Sequence, residues 1–113
     1  MFKVINVKES QPESEYAIFL VEKEIECAPK EDIDVLIVIH GYGSHGVGGT
    51  IKNEVRIKLK ELKSNGKIRD FIPGEMWSDL NESKREITQK YPNLSINSQL
   101  VNLNSGITIV KLF

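Results

Sequence analysis

Apolar and polar positions alternate over residues 2–7, where Phe2 and Val4 are set against Lys3, Ile5 and Val7. With apolar residues on both sides, the pattern predicts a short strand buried on both faces or nearly so. The period then changes. Ala17, Ile18, Leu20, Val21, Ile25 and Ala28 gather on one side of a helical wheel, and Glu15, Glu22 and Glu26 fall opposite, which describes an amphipathic helix. Ser10 to Glu13 forms a capping box with Pro12 in the first turn, and Glu13 and Glu15 suit the positive end of the helix dipole. Pro29 ends that helix, and residues 30–34 make a charged turn. Val35–Ile39 is then apolar without a break. A strand covered on both faces reads this way, as in a parallel sheet, and strand, helix, strand implies a right-handed βαβ unit.

The second half repeats the theme. Residues 41–49 hold five glycines and lead into a helix that starts near Thr50. Ile51, Val55, Leu59 and Leu62 form its core stripe, while Ile57 falls away from it and is expected to be at least partly exposed. Lys52, Arg56, Lys60 and Lys63 repeat the same spacing about 100° round the helix. Asn65-Gly66 is a helix stop, residues 67–72 read as a third strand, and Pro73-Gly74 closes it. Residues 78–91 form a third helix with a thin apolar face of Leu80, Ile87 and Tyr91. Residues 93–106, rich in Asn and Ser, read as an irregular excursion anchored by Met76 and Trp77, and residues 106–113 as a final strand.

Composition narrows the class. A chain of 113 residues with 40% hydrophobic content makes one domain with a core of its own. The lone Cys27 excludes an internal disulfide and a cysteine zinc site. With no long apolar run and no signal-peptide core at the start, a cytoplasmic protein is expected. The net charge of −1 by itself argues against a strong general affinity for nucleic acid, but residues 40–69 carry seven Lys or Arg against two Glu, while residues 1–39 carry four Lys against nine Asp or Glu. The central segment is therefore the part that attracts a polyanion.

That segment is a strand, a glycine-rich loop and a helix start, a recurrent way to hold an anionic group. Gly41-x-Gly43-x-x-Gly46 fits the dinucleotide fingerprint, but Gly48 and Gly49 postpone the helix, and too few strands follow to build that fold. Gly43 to Thr50 approaches the phosphate loop of NTPases with Gly49 in place of its lysine. His40-Gly-x-Gly43 also occurs at hydrolase oxyanion loops, but the chain has no GxSxG nucleophile elbow.

Val38-Ile-His40-Gly-Tyr-Gly43-Ser-His-Gly46-Val-Gly-Gly49-Thr-Ile-Lys52 resembles the HGxGxG signature of the Smr (small MutS-related) domain family. The resemblance covers residues 2–72 and the closing strand. It implies an α/β fold: a two-layer sandwich with a β-α-β-α-β core, a mixed sheet, an inserted segment at about residues 75–106 and a C-terminal strand. It also implies binding to DNA or RNA, with structure-dependent endonuclease activity in some members. His40, Gly41 and Gly43 take the family's loop positions, and Lys52 its basic helix-start position. Where the family carries Leu-Asp-Leu-His-Gly on the first strand, this chain has Ile5-Asn6-Val7-Lys8-Glu9. Asn6 is neither a base nor an anionic metal ligand, so cleavage loses support that binding keeps.

Residue by residue, the expected phosphate-binding set is Gly41, Tyr42, Gly43, Ser44, His45, Gly46, Gly48, Gly49, Lys52, Arg56, Lys60 and Lys63. The glycine amides and the basic stripe face phosphates, and Tyr42 stacks on an unpaired base or caps the loop. His40 is the candidate for proton transfer, and a histidine at a strand end equally often just holds its loop by hydrogen bonds. His40 and His45 are too few for a metal site, and no tightly bound cofactor is expected, a divalent ion entering only with cleavage. The alternative is a non-catalytic module that takes a small phosphorylated ligand at the loop.

Overall fold

β2 (Val35–Ile39), four of whose five residues are fully buried, is the strand on which the domain is laid out. The computed structural model describes residues 1–8, 14–42, 50–97, 100 and 102–113. The capping box at Ser10 to Glu13 and the loop residues Gly43, Ser44, His45, Gly46, Gly48 and Gly49 lie outside the described residues. The other elements are β1 (Phe2–Asn6), α1 (Ser14–Cys27), α2 (Thr50–Ser64), β3 (Asp70–Pro73), α3 (Glu82–Lys90) and β4 (Ile107–Lys111), with short 3-10 turns at Gly74–Met76 and Pro92–Ile96.

The sheet order is β1-β2-β4-β3. β1 and β2 are parallel, and β4 runs antiparallel to both of its neighbours. β3 is therefore parallel to β1 and β2, and three strands end at the same edge of the sheet. This is the α/β domain with a mixed sheet and a C-terminal strand that the sequence leads one to expect.

Side chains alternate across the sheet and divide the core in two. Leu36, Val38 and Val110 meet Ala17, Val21 and Ile25 of α1 and Val55 and Leu59 of α2. Val35, Ile37, Ile72, Ile107 and Ile109 point the other way, onto Trp77, Ile87, Leu94 and Leu100. Trp77, Ile87, Leu94 and Leu100, from the segment after β3, thus cover the second face of the sheet. Each aliphatic side chain buried there adds about 1.5–3 kcal/mol of transfer free energy.

Several local expectations change. β1 is not buried on both faces: Phe2 and Val4 are exposed, and only Ile5 packs beneath the helices. The reason is topological, since β1 is an edge strand and no β1 residue belongs to the second core. Only Phe2 finds a partner there, the Tyr91 ring edge-on at 5.6 Å. The third helix begins at Glu82 rather than Ser78, because the Asn81 side chain caps it by accepting from the Lys84 amide. Trp77 is an anchor, as expected, but Met76 is exposed. Gly74 shows why a glycine must follow β3: a Cβ there would lie 1.9 Å from the Asn104 carbonyl oxygen. Ile57 is exposed, as its position off the core stripe requires. Among the described residues no helix is long and apolar enough to cross a membrane.

Candidate functional site

Because β1, β2 and β3 are parallel, Lys8, the stretch His40 to Tyr42, and Glu75 come to the same edge, beside the start of α2. β4 begins there, and its neighbour Gly106 fastens the end of β2. The Gly106 carbonyl accepts from the backbone amides of both His40 and Gly41, each at 3.0 Å. Gly41 has φ +81°, a left-handed conformation that glycine adopts without strain. The turn out of β2 is therefore built by a glycine on one side and a carbonyl on the other.

His40 is only 3% exposed, and both ring nitrogens are engaged. Nδ1 lies 2.8 Å from the Gly41 carbonyl oxygen, which can only accept, so Nδ1 carries the proton. Nε2, 2.8 Å from Thr108 Oγ1, is then the acceptor of the threonine hydroxyl hydrogen. Thr108 in turn accepts from Arg56 Nε at 2.9 Å. The chain Arg56 to Thr108 to His40 to Gly41 has one direction throughout, and it fixes one neutral tautomer. Burial is the main reason that the imidazole pKa falls from 6.5 to about 4, with the charges of Arg56 and Lys52 adding to the effect and the Gly41 carbonyl and Glu75 opposing it.

Arg56 does not join an exposed basic stripe. Its Nη1 and Nη2 donate to the two Glu75 carboxylate oxygens, both at 2.8 Å, and Nη2 also reaches the Ser105 and Ile107 carbonyls at 3.3 and 3.2 Å. The guanidinium is thus held from behind by Thr108 and two carbonyls while its outer edge grips Glu75. Donation from Arg56 holds the Glu75 carboxyl below its usual range despite partial burial, and the Lys52 charge adds to this. Lys63 pairs with Asp70 at 2.8 Å. Lying eleven residues beyond Lys52, it sits about 16 Å down the helix, at the opposite edge of the sheet. Lys60 is exposed on the outer surface of α2.

The expected set therefore separates. His40, Gly41, Tyr42, Lys52 and Arg56 converge on one edge, and Lys60 and Lys63 run away from it. Tyr42 is 64% exposed with no aromatic partner among the described residues. Lys52 is half-buried and forms no ion pair with another described residue. Thr108, Glu75 and Gly106 complete the site and went unnoticed in the sequence. A threonine within ITIVK and a glutamate after Pro-Gly carry no local signal. Their roles come from a side-chain hydrogen bond across 52 residues and an ion pair across 19. Among the described residues no group of three His, Cys, Asp or Glu side chains is placed to hold a metal ion.

Comparison of the chain with protein-family models, with curated proteins and with solved structures yields no match.

Proposed function

We propose that this chain is a nucleic-acid-binding domain of the Smr type that takes up a phosphodiester backbone at the strand-end edge around Gly41, Tyr42 and Lys52. One observation carries the reading. Three parallel strand ends and the start of α2 meet where an exposed tyrosine and a lysine that forms no ion pair among the described residues flank a glycine turn. Ligands of open α/β sheets lie outside the carboxyl ends of the strands. Lysine and the first amides of a helix complement phosphate, and an exposed aromatic ring offers a stacking surface to an unpaired base.

Binding has more support than cleavage. A buried imidazole with a pKa of about 4 and both nitrogens engaged is a weak base near neutrality. In this arrangement His40 holds the turn that presents the loop. The test is binding of labelled single-stranded, duplex and branched oligonucleotides at rising salt. Affinity that falls steeply with salt supports the proposal; no binding at the lowest salt refutes it. Nicking of the same substrates, lost in a folded His40→Ala protein, would instead make the domain an endonuclease with His40 in proton transfer. Saturable binding of pyrophosphate without oligonucleotide binding would favour the small-ligand module.

A further inference from the structure

The Arg56–Glu75 pair has a feature that a plain structural ion pair lacks. Arg56 stays oriented even without Glu75, because Thr108 Oγ1 and the Ser105 and Ile107 carbonyls hold its inner side. Its outer edge presents two parallel N–H donors, the geometry that suits a carboxylate and a phosphate equally well. Glu75 fills that edge from a three-residue 3-10 turn and is itself 40% exposed, whereas the arginine side chain is 17% exposed. Lys52 lies one helical turn before Arg56 on the same side of α2, and its charge acts on both Glu75 and His40. A fixed fork, a second cation and a displaceable anion thus occupy one spot on the strand-end edge.

We propose that the outer edge of Arg56, together with Lys52, is a phosphate seat, and that Glu75 is its resident competitor. A phosphodiester entering the edge takes the place of the Glu75 carboxylate, which swings out on its short turn. The domain is then held in a weakened state by its own glutamate, and anything that draws Glu75 away strengthens binding. This rests on the reading that the edge takes up nucleic-acid phosphate.

The experiment compares wild type, Glu75→Gln, Glu75→Asp and the double variant Arg56→Lys with Glu75→Gln. Each is titrated at one fixed salt concentration with a labelled single-stranded oligonucleotide and, separately, with pyrophosphate. Asp32→Asn, the same charge change on the turn before β2 at the opposite edge, serves as control. Glu75→Gln is expected to bind both probes about fivefold more tightly, equivalent to ~1 kcal/mol, and Glu75→Asp to fall between it and wild type. Asp32→Asn gives no gain, and the double variant loses the gain because lysine has no fork. If neither Glu75 variant gains affinity, or Asp32→Asn gains as much, the competitor role is overturned. Oligonucleotide binding by wild type with no such gain overturns the competitor and leaves the binding function standing. A gain for pyrophosphate without oligonucleotide binding by any variant supports the seat and overturns the nucleic-acid reading.

Discussion

Lowering the pH from 7.5 to 5 destabilises the fold through His40. The folded protein holds this imidazole neutral, with its pKa lowered from 6.5 to about 4. The unfolded chain protonates it near 6.5, so between those values the unfolded state binds a proton that the folded state refuses. Stability must then fall as pH falls, with the contribution intact above about pH 6.5 and fully lost below about pH 4. A displacement of about 2.5 pH units corresponds to ~3 kcal/mol in full, of which ~2 kcal/mol is lost by pH 5. Asp34, Asp70 and Glu75, held below their ordinary values by their partners, lose their contribution only at lower pH. The assay is chemical denaturation at several pH values, wild type against His40→Gln, with the difference between the two slopes isolating His40. Nitrogen chemical shifts of the imidazole report its tautomer directly, and Nδ1–H is expected throughout this range. Parallel stability profiles for the two proteins, or a His40 midpoint at or above 6.5, would refute the buried neutral relay.

Thr108→Val keeps the shape of a fully buried side chain but strands Arg56 Nε–H and His40 Nε2. Each stranded group costs ~1–3 kcal/mol, to be read as a shift in denaturation midpoint, and a change below ~0.5 kcal/mol would contradict the relay. Gly74→Ala sets a methyl 1.9 Å from the Asn104 oxygen and 2.8 Å from the Ile107 oxygen, both backbone. A loss at or above the ~3 kcal/mol reached by severe overpacking is expected from thermal melting, and a near-wild-type melt would mean that the insertion sits elsewhere.

The fold was legible wherever packing depends on neighbours in sequence. The unbroken apolar run at Val35–Ile39 and the four-residue spacing of Ile51, Val55 and Leu59 each report the burial of their own element. The site was legible only in outline. His40, Gly41 and Lys52 stand where a strand, a turn and a helix start announce them. Arg56 reads as one of four cations in a phosphate-facing stripe, because nothing within α2 reveals that Glu75 and Thr108 will meet it. β1 was misjudged for a related reason, since strand order decides which strand is the edge and alternation cannot show it. Residues 93–106 read as irregular, yet Pro92–Ile96 forms a 3-10 turn, and Leu94 and Leu100 seal the second face of the sheet. Two isolated leucines have no period to detect.

Phosphate binding at the strand-end edge is most directly tested by the salt dependence of oligonucleotide affinity in wild type and Lys52→Gln. Lys52 is half-buried, its charge acts on His40 and Glu75, and it forms no ion pair with another described residue. Wild type should bind with a steep negative slope of log affinity against log salt, and Lys52→Gln should bind more weakly at every salt with the slope shallower by ~1. An unchanged slope in the folded variant would place the contacts elsewhere on the protein, and the absence of wild-type binding at low salt would contradict the proposed function itself.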